Sequence, residues 1–319
     1  MKLFHFVLLC LIISTSAYSQ KIITTLIPEP QPSDSVSHWD NKNKIDFSIS
    51  EILFVNWNAG GTNSISGLLR TQFNRNYTTD NIRWANELIM RYGLNKQDGA
   101  EVRKTEDAFQ FSSTFGYRDN EKSNWYHSAK FNFNTQFTNG YKYPNTEVSV
   151  SGPFAPAYSF LGVGAEYASE KKNKLFYFSP FTSKVTYVGN QRLADKGAFG
   201  VPKAIYDTEG NVIEHSSKIK SELGTLITAF YKKKIAKNIN FENRLSLYSD
   251  YINKYGNVDI DYDLVIALVV NQYVRTNIGL HVIYDDDIKA KEDVAGTQVT
   301  VGPKAQLKQV LGVGMTYTF

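Results

Sequence analysis

Three aspartates at alternating positions form the most chemically suggestive group in this 319-residue sequence. Asp259, Asp261 and Asp263 match the beginning of a D-x-D-x-D calcium loop. That loop needs a glycine where the chain has Leu264 and a bidentate glutamate where it has Val270. The sequence therefore excludes an EF-hand. The period of two predicts a β-strand with one acidic face instead.

The acidic face has two interpretations. Both assume a β-barrel with a polar interior and place the three carboxylates on its inner wall, toward the outer mouth. Rows of acidic side chains can filter cations in a pore. They can equally pair with cations such as Arg244, Lys218 or Lys220 and plug the interior. We favour the pairing, and the cation filter stays open as the alternative.

The same alternation in other segments adds charged residues to this polar face. The segments "INFENRLSLYSDY" (239–251), "NIRWANELIMRYGL" (81–94) and "NWYHSAKFNFNTQFT" (124–138) each separate apolar from polar positions with a period of two. The predicted lumen-lining residues are Asp259, Asp261, Asp263, Arg244, Glu242, Lys130, Arg83 and Glu87.

Catalytic and metal-binding motifs are missing from the sequence. The histidines show no HExxH spacing, and no G-x-S-x-G motif occurs. His127 and Ser128 are neighbours that point to opposite faces of a strand, so they cannot act as a nucleophile–base pair. Asp285, Asp286 and Asp287 leave a surface divalent-ion site as a minor alternative. We therefore expect no enzymatic activity, no cofactor and no catalytic residue.

The N-terminus has the features of a secretory signal peptide. Lys2 precedes an apolar run from Leu3 to Ile13, and Ala17 and Ser19 form a small-x-small cleavage site. The run is too short for a membrane-spanning helix. Residues 1–19 are therefore the predicted signal peptide, and residues 20–43, rich in Pro, Asp, Ser and Asn, are the predicted periplasmic lead-in.

Charge and cysteine content exclude several function classes. The net charge of +4 falls to +3 after cleavage, which gives no case for a nucleic-acid partner. Cys10 is the single cysteine, and it lies in the predicted signal peptide. A mature chain without cysteine has no disulfide, no thiol catalysis and no cysteine-based zinc site.

From residue 44 onward, alternating segments follow one another to the C-terminus, and aromatic residues reach 14%. Many segments are longer than a strand of a globular protein and long enough to cross a bilayer. We therefore predict an all-β fold, a transmembrane antiparallel β-barrel of about twelve strands over residues 44–319, with periplasmic termini and an outer-membrane location. The predicted strands lie near 45–56, 63–77, 81–95, 105–118, 123–138, 158–169, 174–189, 217–232, 237–253, 257–271, 276–286 and 305–319.

The lengths of the connections support a barrel. The even-numbered connections are short, as in "YTTDN" and "SEKKNK", whereas most odd-numbered ones are long. The predicted long connections are 95–106, 139–157, 189–217 and 285–305. Short periplasmic turns and longer outer loops are typical of outer-membrane barrels.

The C-terminal stretch "LGVGMTYTF" alternates up to its last residue. In a barrel this strand must close against the first. Tyr317 and Phe319 are then expected in a barrel-closing aromatic girdle on the lipid face. A C-terminal strand that ends in Phe also resembles the signal for the barrel-assembly machinery, so that machinery and outer-membrane lipid are the predicted partners.

Three local features carry further expectations. Residues 57–61, Trp-Asn-Ala-Gly-Gly, are interpreted as a tight first outer turn with an interfacial Trp. Pro180 lies in the middle of a strand pattern and predicts a bulge. The glycines of "GVGAE" and "GVGMT" lie within strands and are expected to relieve crowding rather than bind nucleotides.

An ordered set of stretches resembles a family of Bacteroidetes outer-membrane proteins, domain of unknown function 3078. The resemblance covers nearly the whole mature chain and implies an outer-membrane barrel, but it brings no known activity or catalytic residue. The stretches include "NWNAGGTNSISG" (56–67), "RKTEDAFQFSSTFGY" (103–117), "FNTQFTNGYKYP" (133–144), "FAPAYSFLGVGAEY" (154–167), "FSPFTSKVTYVGNQRLADKGAFGV" (178–201) and the segment 251–287.

Three functions stay open from the sequence. The first is passage or binding of small solutes through a polar lumen. The second is a structural or partner-docking barrel that acts through its long outer loops. The third, which the sequence supports least, is an outer-membrane hydrolase. Barrels host many functions, so the fold alone does not choose among them.

Overall fold

The alternating segments of the sequence form the strands of a closed antiparallel barrel. The computed structural model describes residues 37–53, 62–252, 255–271, 273–294 and 297–319. The elements, in chain order, are β1 (Trp39–Ile52), β2 (Ser64–Thr78), β3 (Ile82–Gln97), β4 (Arg103–Tyr117), β5 (Trp125–Thr135), β6 (Gly140–Tyr141), β7 (Ser149–Ser151), β8 (Ala157–Ala168), β9 (Lys174–Tyr187), α1 (Gln191–Asp195), a 3-10 turn (Ala198–Gly200), β10 (Ile205–Tyr206), β11 (Val212–Glu214), β12 (Ile219–Ala236), β13 (Ile239–Asp250), β14 (Asp259–Val269), β15 (Val274–Tyr284), β16 (Lys289–Val294), β17 (Thr297–Pro303) and β18 (Gln306–Thr318).

Twelve of these strands make the barrel, in the order β1-β18-β15-β14-β13-β12-β9-β8-β5-β4-β3-β2. The three pairs β6–β7, β10–β11 and β16–β17 form small two-stranded sheets in the loops. The all-β antiparallel barrel of about twelve strands predicted from the sequence is confirmed. Among the described residues, no helix is long and apolar enough to cross a membrane.

The first and last strands close the ring. β1 pairs with β18 from Lys44 opposite Thr318 to Ser48 opposite Gly314. The last residue completes the pairing, because the backbone N–H of Asn43 donates to the carbonyl of Phe319 at 2.9 Å and the N–H of Phe319 donates back at 3.0 Å. The barrel begins at Trp39, ahead of the predicted boundary at residue 44, because residues 39–43 also pair with β2.

The two ends of the barrel differ in the length of their connections. At the short-turn end, which also holds the chain terminus, the connections 79–81, 118–124, 169–173, 237–238 and 270–273 have at most seven residues. The long-loop end has 53–63, 98–102, 136–156, 188–218, 251–258 and 285–305. The predicted alternation of short and long connections is confirmed except at 95–106. There β3 and β4 are longer than predicted, so only residues 98–102 remain as a turn. The predicted turn at 57–61 and the predicted signal peptide lie outside the described residues.

The predicted bulge at Pro180 is present in β9. Thr182 pairs with Gly224 and Ser179 pairs with Leu226, so β9 has one more residue than β12 over this stretch. Proline has no N–H for the ladder, which is why the extra residue falls here. Crowding explains why residue 164, next to the bulge, is a glycine. A Cβ on Gly164 would lie 2.0 Å from the carbonyl oxygen of Phe178.

The barrel is apolar outside and polar inside. Leu161, Phe181 and Leu311 are 57%, 60% and 69% exposed on the outer face. Thr182 and Lys184, which alternate with outward residues on β9, are buried in the interior. Exposed apolar side chains around a polar interior reverse the usual arrangement of a water-soluble domain. They are the arrangement of a transmembrane β-barrel.

Candidate functional site

The interior of the barrel holds a cavity of about 810 Å³. Its wall is formed by the inward side chains of the barrel strands, and it reaches from the short-turn half of the interior to the long-loop mouth. All the residues that the sequence analysis assigned to the lumen lie on this wall, namely Arg83, Glu87, Lys130, Glu242, Arg244, Asp259, Asp261 and Asp263.

One ion pair crosses the full width of the lumen. Arg244 on β13 and Glu87 on β3 belong to strands six places apart in the ring of twelve, so they face each other across the diameter. Arg244 Nη1 lies 2.8 Å from Glu87 Oε2, and Arg244 Nη2 lies 3.2 Å from Glu242 Oε1. The guanidinium also lies 4.9 Å from the centre of the Phe230 ring. This bridge narrows the cavity at mid-height.

Other interior contacts join strands that are not neighbours. Arg83 on β3 forms an ion pair with Glu166 on β8, and both side chains are buried. Lys130 Nζ on β5 donates to Thr228 Oγ1 on β12 at 3.0 Å and lies 5.2 Å from the centre of the Tyr177 ring. A buried charge needs a partner, and here the partner stands on a distant strand.

One side of the interior is tightly packed, and we call strands β8, β9, β12 and β13 the closed wall. Tyr177, Leu226 and Tyr248 form a buried cluster against Phe160 inside the barrel. Lys184 lies 4.9 Å from the centre of the Tyr248 ring. Large rings therefore fill this side, and hydroxyl and charged groups occupy the space between them.

The acidic row of β14 pairs differently from the prediction. Asp259 lies 2.8 Å from Lys184 on the closed wall, and Asp261 lies 2.8 Å from His281 on the adjacent β15. The predicted pairing of this row with Arg244, Lys218 or Lys220 is wrong for the described residues, none of which shows it. Arg244 reaches the opposite wall instead, and Lys220 bonds Asp287 and lies 3.3 Å from Glu222.

The adjoining side of the interior carries uncharged amides between its charged residues, and we call strands β2, β3, β4 and β5 the open wall. Its amide side chains are half-buried and face the cavity. They are Gln72, Asn74, Asn76, Asn86, Gln110, Asn132 and Asn134. Amides offer both donors and acceptors, so this wall can bond the hydroxyl, amide or carboxylate groups of a solute.

The connection 188–218, which we call the loop cap, lies at the long-loop end. Val188, Leu193, Ala194 and Val201 form a small buried core with Ala155 of the preceding long loop. Phe199, at the 3-10 turn, packs on this core and also lines the cavity. Its φ of 59° is left-handed, a conformation that costs a non-glycine residue about 1 kcal/mol or more. The rest of the cap therefore holds Phe199 at the mouth.

Asp195 links two ends of the loop cap. Its Oδ1 accepts from Gln191 Nε2 at 2.8 Å and from the backbone N–H of Ser216 at 2.9 Å, and its Oδ2 lies 2.8 Å from His215 Nδ1. Burial alone would raise the pKa of this carboxyl group, but the hydrogen bonds from Gln191, Ser216 and His215 outweigh burial and hold the pKa below its ordinary value.

The chemistry of a metal site is missing from the described part of the chain. No three His, Cys, Asp or Glu residues among the described residues come together as a metal-ion site. Asp285, Asp286 and Asp287 bond elsewhere. Asp285 Oδ1 accepts from the backbone N–H of Asp287, Asp286 Oδ2 accepts from Asn257, and the Asp287 carboxylate pairs with Lys220.

Aromatic residues surround the short-turn end. Tyr317 and Phe319 stack with ring centres 5.4 Å apart and are 59% and 56% exposed on the outer face. At the same end, the ring centres of Trp39 and Tyr77 are 5.3 Å apart, and those of Trp125 and Tyr167 are 5.4 Å apart. The two residues assigned to the girdle therefore lie beside further rings at the rim of the barrel.

Several residues that face the interior are not among those predicted from the sequence to line the lumen. They are Arg70, Glu166, Tyr177, Lys184 and Glu222. The period of two could have found Arg70, since it alternates inward with Gln72, Asn74 and Asn76. The period of two could not have predicted that Arg83 pairs with Glu166, because their strands β3 and β8 are three places apart in the closed ring.

Comparison with known proteins supports the resemblance noted in the sequence. Residues 49–141 match the model of a family described as "Protein of unknown function (DUF3078)". The resemblance is thus confirmed over this part of the chain. No curated protein matches the sequence.

Several solved structures of outer-membrane proteins resemble the barrel. The COG4313 outer membrane channel from Pseudomonas putida F1 is 10% identical, with coverage of 91% of this chain and 100% of that chain and a TM-score of 0.41. The translocator domain of the autotransporter NalP from Neisseria meningitidis is 9% identical, with coverage of 90% of each chain and a TM-score of 0.36. The outer membrane protein OmpT of Vibrio cholerae is 9% identical, with coverage of 88% and 97% and a TM-score of 0.31. None of these likenesses bears on the function of this chain.

Proposed function

We propose that this chain is an outer-membrane barrel whose polar lumen binds small solutes and lets them pass. The observation that carries the proposal is the cavity of about 810 Å³, with amides on one wall and charged groups of both signs around it. A cavity of this size suits a small polar molecule. We propose a binding and transport role without catalysis.

The outer surface supports the membrane location. Exposed apolar side chains cover the strands, and the aromatic rings at the short-turn end suit a membrane interface. A belt of this kind in water would be an aggregation liability, whereas hydrocarbon chains cover it without cost. We further propose that the C-terminal strand β18, together with Phe319 that follows it, is the segment that the barrel-assembly machinery recognises.

The diametric ion pair and the loop cap set how freely solutes pass. Arg244 and Glu87 divide the lumen at mid-height, and Phe199 lies at the mouth. We expect slow, selective passage rather than a wide water-filled pore. Removal of the Arg244 side chain should widen the path, because nothing else joins these two opposite strands at that height among the described residues.

Conductance in planar lipid bilayers tests the proposal. The wild-type chain should give small, steady currents, and Arg244→Gln should give currents several-fold larger. Arg75→Gln is the matched control, since Arg75 lies on β2 away from the cavity and bonds Asn43. Silence of both the wild type and Arg244→Gln at all voltages, with folded protein in the bilayer, would contradict passage.

A second function is favoured by the folded long loops. The β10–β11 hairpin of the loop cap leaves Ile205 55% and Ile213 67% exposed, and exposed apolar side chains on a folded loop suit a docking surface. Replacement of residues 203–214 by a short Gly-Ser linker separates the two functions. Docking predicts that this variant loses a co-purifying protein in native membranes and keeps its conductance, whereas an unchanged set of co-purifying proteins argues against docking.

A further inference from the structure

Arg70 is an interior cation that forms no ion pair with any described residue. It lies at mid-strand on β2 and lines the cavity. Its Nε is shielded from solvent and has no hydrogen-bond partner. Among the described residues, no carboxylate lies within ion-pair distance of its guanidinium. Arg83, Lys184 and Arg244, by contrast, each form an ion pair across the lumen.

The strand register makes this isolation costly. Arg70 stands directly opposite Arg91 on β3, and like charges at directly opposite positions destabilise a sheet. A guanidinium whose Nε is shielded from water, and which stands opposite another cation, is stabilised by an anion nearby.

The nearby anions are already engaged by other groups. Asp46, directly opposite Arg70 on β1, accepts from Lys44 at 2.7 Å through Oδ2 and from Thr316 through Oδ1. Glu242 pairs with Arg244 at 3.2 Å and with Lys232 at 3.3 Å. Glu106, which pairs with Arg91 at 3.3 Å, is also bonded by Lys308 at 2.8 Å. Arg70 is therefore left without an ion-pair partner in the described part of the chain.

We propose that Arg70, with Arg91 beside it, anchors a binding site for a small oxyanion in the lumen. The site rests on the proposed solute-binding function and deepens it, because it names the charge of the solute. The planar guanidinium suits two-point bonding to a phosphate or a carboxylate. The adjacent amides of Gln110 and Asn134 are placed to contact the rest of the solute.

Calorimetric titration of the folded, detergent-solubilised full chain with inorganic phosphate tests the site, and a second titration with acetate distinguishes phosphate from carboxylate recognition. The wild type should bind at least one of the two saturably. Arg70→Gln should bind at least about tenfold more weakly, because it loses charge-assisted hydrogen bonds. Arg75→Gln on the same strand should bind as the wild type does.

Equal affinity of the wild type and Arg70→Gln, or no saturable binding of either anion by the wild type, would overturn the proposal. If Arg70→Gln does not fold, Arg70→Lys decides the matter. It keeps the charge but not the planar fork, so it should bind more weakly than the wild type, and an unchanged affinity would be the contrary result.

The oxyanion site and the passage function fail in different ways. If the barrel conducts ions but its affinities for phosphate and acetate are unchanged in Arg70→Gln, only the oxyanion site is refuted. If the barrel shows no conductance in bilayers but binds an anion through Arg70, only the passage function is refuted.

Discussion

The closed wall and the open wall share one polar lumen, yet they fill it in different ways. On the closed wall, Tyr177, Leu226 and Tyr248 are at most 4% exposed. On the open wall, Asn132 and Asn134 are half-buried and border the cavity. Both walls alternate in the same way along the sequence, so alternation alone does not determine whether a lumen is open.

Side-chain size and charge pairing make the difference. The closed wall combines large rings with cations whose partners lie on distant strands, as Lys184 does with Asp259. The open wall combines short amides with charged groups that are paired as well, such as Arg83 with Glu166, and with Arg70, which has no ion-pair partner among the described residues. A polar interior is therefore filled where large rings pack between its paired charges, and it leaves space for a solute where short amides line it.

The largest expected effect tests the charge pairing of the closed wall. Lys184→Met keeps the length of the side chain but leaves Asp259 and Glu222 without this cation. Loss of one partner from a buried pair should lower the free energy of unfolding by about 3 kcal/mol or more. Denaturant unfolding of the barrel in lipid vesicles, followed by Trp fluorescence, measures it.

The matched control for Lys184 is Lys122→Met in an exposed turn, which should stay within about 0.5 kcal/mol of the wild type. If the two variants were equally stable, the pairs of the closed wall would contribute nothing to its packing, and the contrast with the open wall would disappear.

A smaller effect compares packing on the two walls directly. Leu226→Ala should lower the free energy of unfolding by about 2–3 kcal/mol, because it leaves a cavity among rings that cannot close around it. Asn134→Ala should cost less than about 0.5 kcal/mol, because its side chain borders an existing cavity. Similar losses for both variants in the same unfolding assay would mean that the open wall is packed as well.

The smallest effect concerns the loop cap and its pH dependence. The pKa of Asp195 lies below its ordinary value of about 3.9 when the cap is folded. Its ionised form therefore stabilises the closed cap above that ordinary value, and the contribution is lost as the pH falls through the lowered pKa. After correction for the intrinsic exchange rate, hydrogen exchange of residues 188–218 should accelerate as the pH falls from about 5 to 3, below the ordinary titration range of histidine.

Asp195→Asn is the comparison variant for the loop cap. Its amide group does not titrate, so its exchange, corrected for the intrinsic rate, should be faster than that of the wild type at pH 5 and should change less toward pH 3. Equal pH dependence of the two chains would exclude Asp195 as the cause.

The sequence predicted the barrel well, because period-two alternation is a local property. It placed the twelve strands and the bulge at Pro180, and Glu87 and Lys130, which it assigned to the lumen, lie on the cavity wall. It did not predict the partners across the lumen. Arg244 meets Glu87 only because β13 and β3 lie opposite each other in a closed ring, and that depends on the strand count and the stagger of the whole barrel.

The loop cap was unpredictable for another reason. Its core joins Val188, Leu193 and Val201 to Ala155 of a different loop, and no periodicity marks such contacts. The alternation predicts that Arg70 points inward, but nothing in the local sequence shows that Asp46, opposite it, is engaged by Lys44.

The contrast between the two walls can be measured directly with single cysteines. Cys10 is the only cysteine and lies in the predicted signal peptide, so an introduced thiol in the processed chain would be unique. Asn132→Cys on the open wall and Thr182→Cys on the closed wall are reconstituted into lipid vesicles and treated with a small, charged thiol reagent. We predict rapid labelling at position 132 and protection at position 182. Equal labelling of both positions, or protection of position 132, would contradict the contrast between the two walls.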